Sequence, residues 1–354
     1  MASRDEAIMV ETVLVTGGTG FVGGWCIKLL LDRGYRVRTT VRDLSRESEV
    51  RAAVACDDDR LAFFCADLTG DAGWDAAMAG CTYVLHVASP LGGGGSSNAD
   101  TVIVPARDGT VRVLAAAMRA GVKRVVMTSA ATAARAPLGS GIVNDETIWA
   151  DPTRRKFDSY RLSKILAERA AWDLMATAQS ATELTTILPG AVFGPVLAKD
   201  QQGSVQLIGG LLAGRPARLP RFGFWIVDVR DLADLHIRAM TATEAAGERF
   251  MAVGEFQWFE QVAATLRERL ADRAARVPSR PLPDVAVRLL ALFNPNIRML
   301  AAEVGIRNET SSAKARRLLG FAPRPVADTI VDCAESLLDR QTRQSHSRLP
   351  AATS

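Results

Sequence analysis

The sequence predicts an α/β protein: a doubly wound parallel sheet with a smaller, helix-rich C-terminal lobe. Three observations lead there. Short β-branched runs alternate with longer segments of helical apolar spacing through the first half of the chain. The first run ends in the glycine-dense turn "VTGGTGFVGG", residues 15–24. After Gly190 the alternation loosens, Gly and Pro become frequent, and residues 250–340 turn helix-rich.

Each element follows from its own pattern. Residues 12–17 (TVLVTG) read as a strand ending on glycine, and residues 20–34 as a helix closed by Gly34. Residues 35–43 alternate in the strand manner, and 61–69 and 83–89 are further strands. A helix over about 98–120 stops at Gly121, and 123–129 (KRVVMTS) is the next strand. Residues 158–178 form a long helix with Asp158 as its N-cap, followed by a strand at 182–190. Residues 225–241 read as one more strand running into a helix. Crossovers of this length join parallel strands with right-handed connections. Residues 8–190, with 225–241, are expected to form the large domain, and 191–224 with 242–340 the lobe. The polar end, 341–354, reads as a disordered tail. Residues 91–99 (LGGGGSSNA) read as a flexible loop directly after a strand, either a linker or a flap over the site.

Composition bounds the function. The 354 residues suffice for one large or two intimately joined domains, and 48% hydrophobic with 23% charged is ordinary for a soluble protein. The net charge of +4 comes from basic residues interleaved with acids, as in "TLRERLADRAARVPSR". Without a one-sign block, nucleic acid is not an expected partner. Five cysteines without CxxC spacing suggest free thiols in a reducing compartment. The start does not read as a signal peptide, and no uncharged apolar stretch nears ~18 residues, so the expected location is cytoplasmic, with no membrane partner. The three histidines, His86, His236 and His346, lack metal-ligand spacing, and no metal is expected. Both a monomer and a homodimer fit the sequence.

The glycine turn follows a strand and opens a helix, and it contains GxGxxG (Gly18, Gly20, Gly23). Such a turn lets a pyrophosphate approach the backbone at a helix N-terminus, where amides and the helix dipole favour an anion. It therefore points to a dinucleotide. An NAD site wants an acid about 20 residues further on, for the ribose hydroxyls. Here the second strand ends in "TTVRD", with Arg42 first and Arg38, Arg46 and Arg51 nearby. A guanidinium suits a 2′-phosphate, so NADP(H) is expected, while Asp43 keeps NAD open. Asp67, at the third strand's end, is placed to accept from the adenine amino group or to cap a turn.

"YRLSK" puts Tyr160 and Lys164 four apart on one helix face. With it the resemblance is plain. "VTGGTGFVGG", "TVRD", "ADLT", "VLHVASP", "RVVMTS", "YRLSK", "LAERAAW", "LPGAVFGP", "VDVRDLADLH" and "ARRLLGFAPRP" run in order from residue 15 to 325. The chain resembles the extended short-chain dehydrogenase/reductases, in the branch of dihydroflavonol, cinnamoyl-CoA and related aldehyde and ketone reductases. That resemblance implies a Rossmann domain and hydride transfer from NADPH to a small-molecule carbonyl. Tyr160 would be the general acid, with Lys164 lowering its pKa and holding the nicotinamide ribose. The cofactor contacts would be Gly17, Thr19, Gly20, Phe21, Val22, Arg42, Asp67, Leu68, Val87, Ala88, Ser89, Thr128, Tyr160, Lys164, Pro189, Gly190 and Val192.

One position departs from the family. Its strand usually ends Thr-Ser-Ser, and the second serine bonds the substrate oxygen. Here the chain reads Thr128-Ser129-Ala130. Losing such a donor costs ~3–4 kcal/mol of transition-state stabilisation. Strand side chains alternate in direction. If Ala130 faces the site, Thr128 and Thr132 share its side, with Thr132 nearer the open mouth. Thr132 is the first candidate for a substitute donor and Ser129 the second. Phe222, Phe224, Trp225 and Trp258 are candidates for an aromatic pocket or for core. Two rivals stand beside the reductase: an NAD-dependent sugar-nucleotide epimerase or dehydratase, and a catalytically silent NADP-binding sensor.

Overall fold

The computed structural model describes residues 10–90, 99–153, 157–197 and 203–347. The loop expected over 91–99 falls mostly outside them, as does the end of the expected tail. Seven parallel strands form the main sheet. They are β1 (Thr12–Val15), β2 (Arg36–Val41), β3 (Leu61–Cys65), β4 (Tyr83–His86), β5 (Arg124–Thr128), β6 (Glu183–Pro189) and, at the edge, Arg249–Ala252. The helices between them are α1 (Phe21–Asp32), α2 (Glu47–Val54), α3 (Trp74–Met78), α4 (Asp100–Arg119) and α5 (Ser159–Thr177). The spatial order runs β3-β2-β1-β4-β5-β6 and then the edge strand, so the winding reverses between β1 and β4. Ligands of such sheets bind outside the carboxyl ends of the strands at that reversal.

The period of two along a strand decides which residue faces which layer. Val13, Val15, Leu85, Val126 and Ile187 pack with Cys26, Ile27 and Leu30 of α1. Their alternates Leu14, Val84, Val125, Met127 and Leu184 pack with Val113 and Leu114 of α4 and Ala167 and Ala171 of α5. Both faces are dry, which is why these strands read as continuous apolar runs. The Asp158 side chain accepts from the Arg161 amide at 2.7 Å and starts α5, as its cap position predicts.

Beyond β6 the chain builds the lobe. β7 (Ala191–Phe193), α6 (Val205–Leu212), β8 (Leu219–Pro220) and β9 (Gly223–Asp228) lead into α7 (Val229–Thr241). Next come β10, the edge strand Arg249–Ala252, then β11 (Phe256–Trp258), α8 (Phe259–Leu270) and β12 (Pro281–Leu282). Four helices complete the fold: α9 (Asp284–Phe293), α10 (Pro295–Glu303), α11 (Ala313–Leu319) and α12 (Val326–Ser347). β11, β9 and β7 form a separate small sheet, and β8 pairs with β12. A second core gathers Phe193, Ile208, Ile226, Phe259, Leu266 and Ile330.

Three boundaries differ from the sequence expectation. The strand at 225–228 belongs to the small sheet, while α7 after it packs on α1 under the main sheet. Residues 249–252, assigned to the lobe, hydrogen-bond along β6 and extend the main sheet. The expected tail is helical as far as Ser347, because α12 carries Ile330, Cys333, Ala334 and Leu337 into the second core.

Gly73 marks a tight join. It has φ +87°, and a Cβ there would overlap the Cys65 carbonyl oxygen. The turn seats Trp74, whose indole N–H donates to the Asp67 and Gly70 carbonyls at 3.2 and 3.0 Å. Gly73→Ala should lower stability by ~2–3 kcal/mol, read from urea unfolding midpoints, since strain and overlap coincide there.

Candidate functional site

At the reversal of the sheet the chain leaves β1 into the glycine turn. The Gly17 amide donates to Thr40 Oγ1 at 3.1 Å and the Gly18 amide to the Thr40 carbonyl at 3.0 Å. The Gly20 amide closes the turn on the Gly17 carbonyl at 2.9 Å. A Cβ on Gly23 would stand 2.5 Å from that same carbonyl oxygen. Gly20 caps α1 without a side-chain hydrogen bond. First-turn amides of α1 are therefore left to a ligand, and no side chain stands between it and the backbone. The turn fits a dinucleotide pyrophosphate.

The turn opens on a cleft of about 1360 Å³. Ordinary small-molecule pockets hold ~300–1,000 Å³, so this space admits a dinucleotide and a second molecule. Every residue expected to contact the cofactor lines it. At one end stand Arg42 and Arg46; Arg46 pairs with Glu49 at 2.9 Å, while Arg42 makes no ion pair among the described residues. Asp43 lines the cleft as well; its carboxylate accepts from the Ser45 amide at 2.9 Å, and its hydrogen bonds with Ser45, the side-chain hydroxyl's first and the amide's second, hold its pKa below the ordinary value. Asp67 caps Thr69 through one oxygen, with the amide at 2.7 Å and the hydroxyl at 2.6 Å. These bonds, first the hydroxyl's, lower its pKa too.

Further along the cleft lie Tyr160 and Lys164. Tyr160 is 37% exposed and lines the cleft. Burial first, and the charge of Asp158 second, raise its pKa, so it is protonated at neutral pH. Lys164 is 4% exposed, and its ammonium donates to the Thr128 carbonyl at 3.0 Å. Burial pulls its pKa down to about 8, against the opposing pull of Glu168.

The hydroxyls at the end of β5 are nearly all engaged. Thr128 Oγ1 donates to His236 Nε2 at 2.7 Å, because the other nitrogen of that ring donates to the Leu232 carbonyl at 2.8 Å. Ser129 points to the opposite face and donates to Glu168 Oε2 at 2.7 Å. Ser129 also lines the cleft, but its hydroxyl proton is spent on that buried carboxylate, which leaves it the second of the two candidate donors. Ala130 is extended, at φ −155° and ψ 150°, and lines the cleft. Thr132 lines it too, on a short 3-10 turn at Ala131–Ala134, with no hydrogen bond to its hydroxyl among the described residues.

The far end of the cleft is made by the lobe. Leu207, Phe222, Phe224, Trp225, Phe256 and Ile306 line it, and the Trp225 indole N–H donates to the Asn308 carbonyl at 2.8 Å. Three of the four aromatic candidates thus face the cleft. Trp258 does not; it packs edge-on to Phe256 with ring centroids 4.9 Å apart. Arg135, Arg161 and Glu303 form an ion cluster at the rim, with Arg161 to Glu303 at 2.6 Å. Sequence reasoning missed Phe256, Ile306 and this cluster, since segments far apart in the chain bring them together. His86 is buried behind the cleft, 3.0 Å from Thr16 Oγ1, and burial lowers its pKa to about 3.

The comparisons with known proteins come down on the same chemistry. Residues 13–254 match the model of the NAD dependent epimerase/dehydratase family. The chain is 35% identical over 339 residues to cinnamoyl-CoA reductase CAD2 of Medicago truncatula, covering 94% of this chain and 97% of that protein. It is 34% identical over 254 residues to an anthocyanidin reductase of Vitis vinifera, covering 67% and 75%. Among solved structures, vestitone reductase from alfalfa superposes with TM-score 0.72 at 25% identity, covering 93% of this chain and 99% of that one. Yeast methylglyoxal/isovaleraldehyde reductase Gre2 with NADPH superposes with TM-score 0.80 at 24% identity, covering 94% and 99%, and shares the fold. The chain belongs to the NAD dependent epimerase/dehydratase family, among relatives that are named reductases.

Proposed function

We propose that this NADP-dependent oxidoreductase reduces the carbonyl of an aldehyde or ketone with an apolar or aromatic body, with Tyr160 as general acid. One observation carries the reading. Tyr160 and Lys164 stand in a single cleft between the glycine turn at one end and a wall of Phe222, Phe224, Trp225 and Phe256 at the other. NADPH, when bound, supplies the hydride. Arg42, beside Arg46, would hold its 2′-phosphate, and the α1 N-terminus its pyrophosphate.

The residues divide the remaining work. Tyr160, protonated at neutral pH, gives its proton to the substrate oxygen as negative charge develops there. The Lys164 cation stabilises the phenolate left behind. Thr132 donates a hydrogen bond to the same substrate oxygen, in the place that Ala130 leaves without a hydroxyl. Its support is that the hydroxyls of Thr128 and Ser129 are spent on His236 and Glu168. The aromatic wall orders a flat apolar body and excludes water from the reacting end.

A silent NADP-binding sensor remains the second reading, favoured by Ala130 alone. The assay that separates the two follows NADPH oxidation on aromatic aldehydes, β-keto esters, diketones and a flavonoid ketone. Tyr160→Phe should cut kcat/KM by ~10²–10⁴-fold with NADPH affinity kept. NADPH binding without turnover on any class would decide for the sensor. NAD carried through purification would instead favour the epimerase. Thr132→Ala should cost ~10²–10³-fold in kcat, and unchanged turnover would remove Thr132 from the mechanism. Arg42→Ala should weaken NADPH by ~10–100-fold and leave NADH nearly untouched, measured by cofactor fluorescence titration.

A further inference from the structure

We propose that the outer face of the lobe, made by α9 and the arginines beside it, docks on an anionic lipid surface. α9 carries apolar residues on its outer side. It buries Val287 and Ala291, four apart, and presents Val285, Leu289, Leu292 and Phe293 on the opposite side. Phe293 is 87% exposed and Leu292 67%. Single exposed apolar residues need no explanation, but four along one side of one helix form a patch.

The patch has a basic surround. Arg288, also exposed, lies on the same side of α9, one turn from Val285 and one from Leu292. The pairing of β8 with β12 sets Leu219 against Pro281, with the Leu219 amide donating to the Arg280 carbonyl at 2.9 Å. Gly214 lies against the Arg276 carbonyl. Exposed Arg215 and Arg218 are thereby gathered beside exposed Arg276 and Arg280. None of these five arginines makes an ion pair or a side-chain hydrogen bond among the described residues. Residues 205–222 and 275–303 together hold seven arginines and two acids, Asp284 and Glu303. Both acids are engaged, Asp284 with Arg221 at 2.5 Å and Glu303 with Arg161 at 2.6 Å. Since the whole chain carries +4, these two segments hold all of its excess positive charge.

Charge and apolar stripe together select the occupant. A second copy docked about a twofold axis would set one arginine-rich face against another. A nucleic acid would take the arginines and leave the leucines and Phe293 in water. An anionic bilayer takes both: the arginines meet the headgroups and the stripe enters the acyl boundary. No described helix is long and apolar enough to cross a membrane, and α9, with ten residues, lies in the surface plane instead. The sequence expectation of no membrane partner weighs apolar length and one-sign runs along the chain. Here folding collects the arginines from two separate segments. Arg221, bonded to α9 through Asp284, precedes Phe222, so the docked face adjoins the aromatic end of the cleft.

The test reads binding alone and needs no carbonyl substrate. The protein is sedimented with vesicles of phosphatidylcholine, and with vesicles of equal parts phosphatidylcholine and phosphatidylserine. It should partition to the mixed vesicles at least ~10-fold more strongly, and high salt should weaken that binding. Arg218→Gln combined with Arg280→Gln should lower the partition coefficient ~10–30-fold. Leu289→Asp combined with Phe293→Asp should lower it by ~10-fold or more. All four positions are exposed, and NADPH titration certifies the fold of each variant. No binding to the mixed vesicles overturns the proposal; a dimer in sedimentation velocity that Phe293→Asp breaks then gives the face to a second copy. Vesicle binding that both double variants keep in full overturns it as well, since another surface would then be responsible.

Discussion

The buried pair of Glu168 and Arg249 is the constraint on which the working half of the molecule depends. Their side chains are 0% and 7% exposed, and the ion pair spans 2.9 Å. Such a pair gives little net stability against an apolar substitute, but removing one partner strands the other and costs ~3–5 kcal/mol. Here the consequence is geometric. Glu168 joins α5 to the end of β5 through Ser129 and to β6 through Thr186. Arg249 joins β10 to the segment after β5, through the carbonyls of Ala133, Glu146 and Ile148. The Glu146 carboxylate returns the contact by accepting from the Met251 amide at 2.7 Å. Tyr160 and Lys164 on α5, and Thr132 next to Ala133, are thereby referred to one fixed point.

That fixed point also explains how hydroxyls are distributed around the substrate position. Consecutive residues of a strand face opposite layers, so Thr128 falls to His236 and Ser129 to Glu168. Neither can turn without leaving a buried polar group unsatisfied, at ~1–3 kcal/mol. Ala130 comes next on the path, with no polar atom to give. The chain then enters a 3-10 turn that brings Thr132 to the cleft wall. The turn that carries Thr132 is pinned from behind, where the Ala133 carbonyl accepts the Ala150 amide at 2.9 Å and an Arg249 nitrogen at 3.4 Å.

What the sequence reveals and what it hides follow from the range of the interactions. The strand–turn–helix of the glycine loop, the cap at Asp158 and the Tyr160–Lys164 spacing are local, and each is legible residue by residue. The direction of Ser129 is a different matter. Alternation says that it opposes Thr128, but only the placement of Glu168 thirty-nine residues on gives it a partner there. β10 has four residues and no flanking βαβ pattern, so its membership of the main sheet is visible only through its pairing with β6. The small sheet is hidden for the same reason: β7 and β11 have three residues each, too few to show a period. Phe222, Phe224 and Trp225 are recognisable as candidates because they cluster in sequence. Phe256 and Ile306 are not, since only the folded lobe carries them to the cleft.

The two cores meet at the cofactor turn, and this ties the substrate end of the cleft to the other. Phe21, the first residue of α1, packs against both the main core and the lobe core, and it lines the cleft. One turn later the Trp25 indole N–H donates to the Pro195 carbonyl at 2.8 Å, and Leu197 packs against the main core. Gly190, where β6 hands over to β7, sits so close to the Trp225 carbonyl that any Cβ would overlap it. The lobe is therefore stapled to the helix that opens on the glycine turn, and at the corner beside the aromatic wall. Phe21 thus joins the first turn of α1 to the lobe core against which Phe222 and Phe224 pack. The two ends of the cleft therefore share a wall as well as a space.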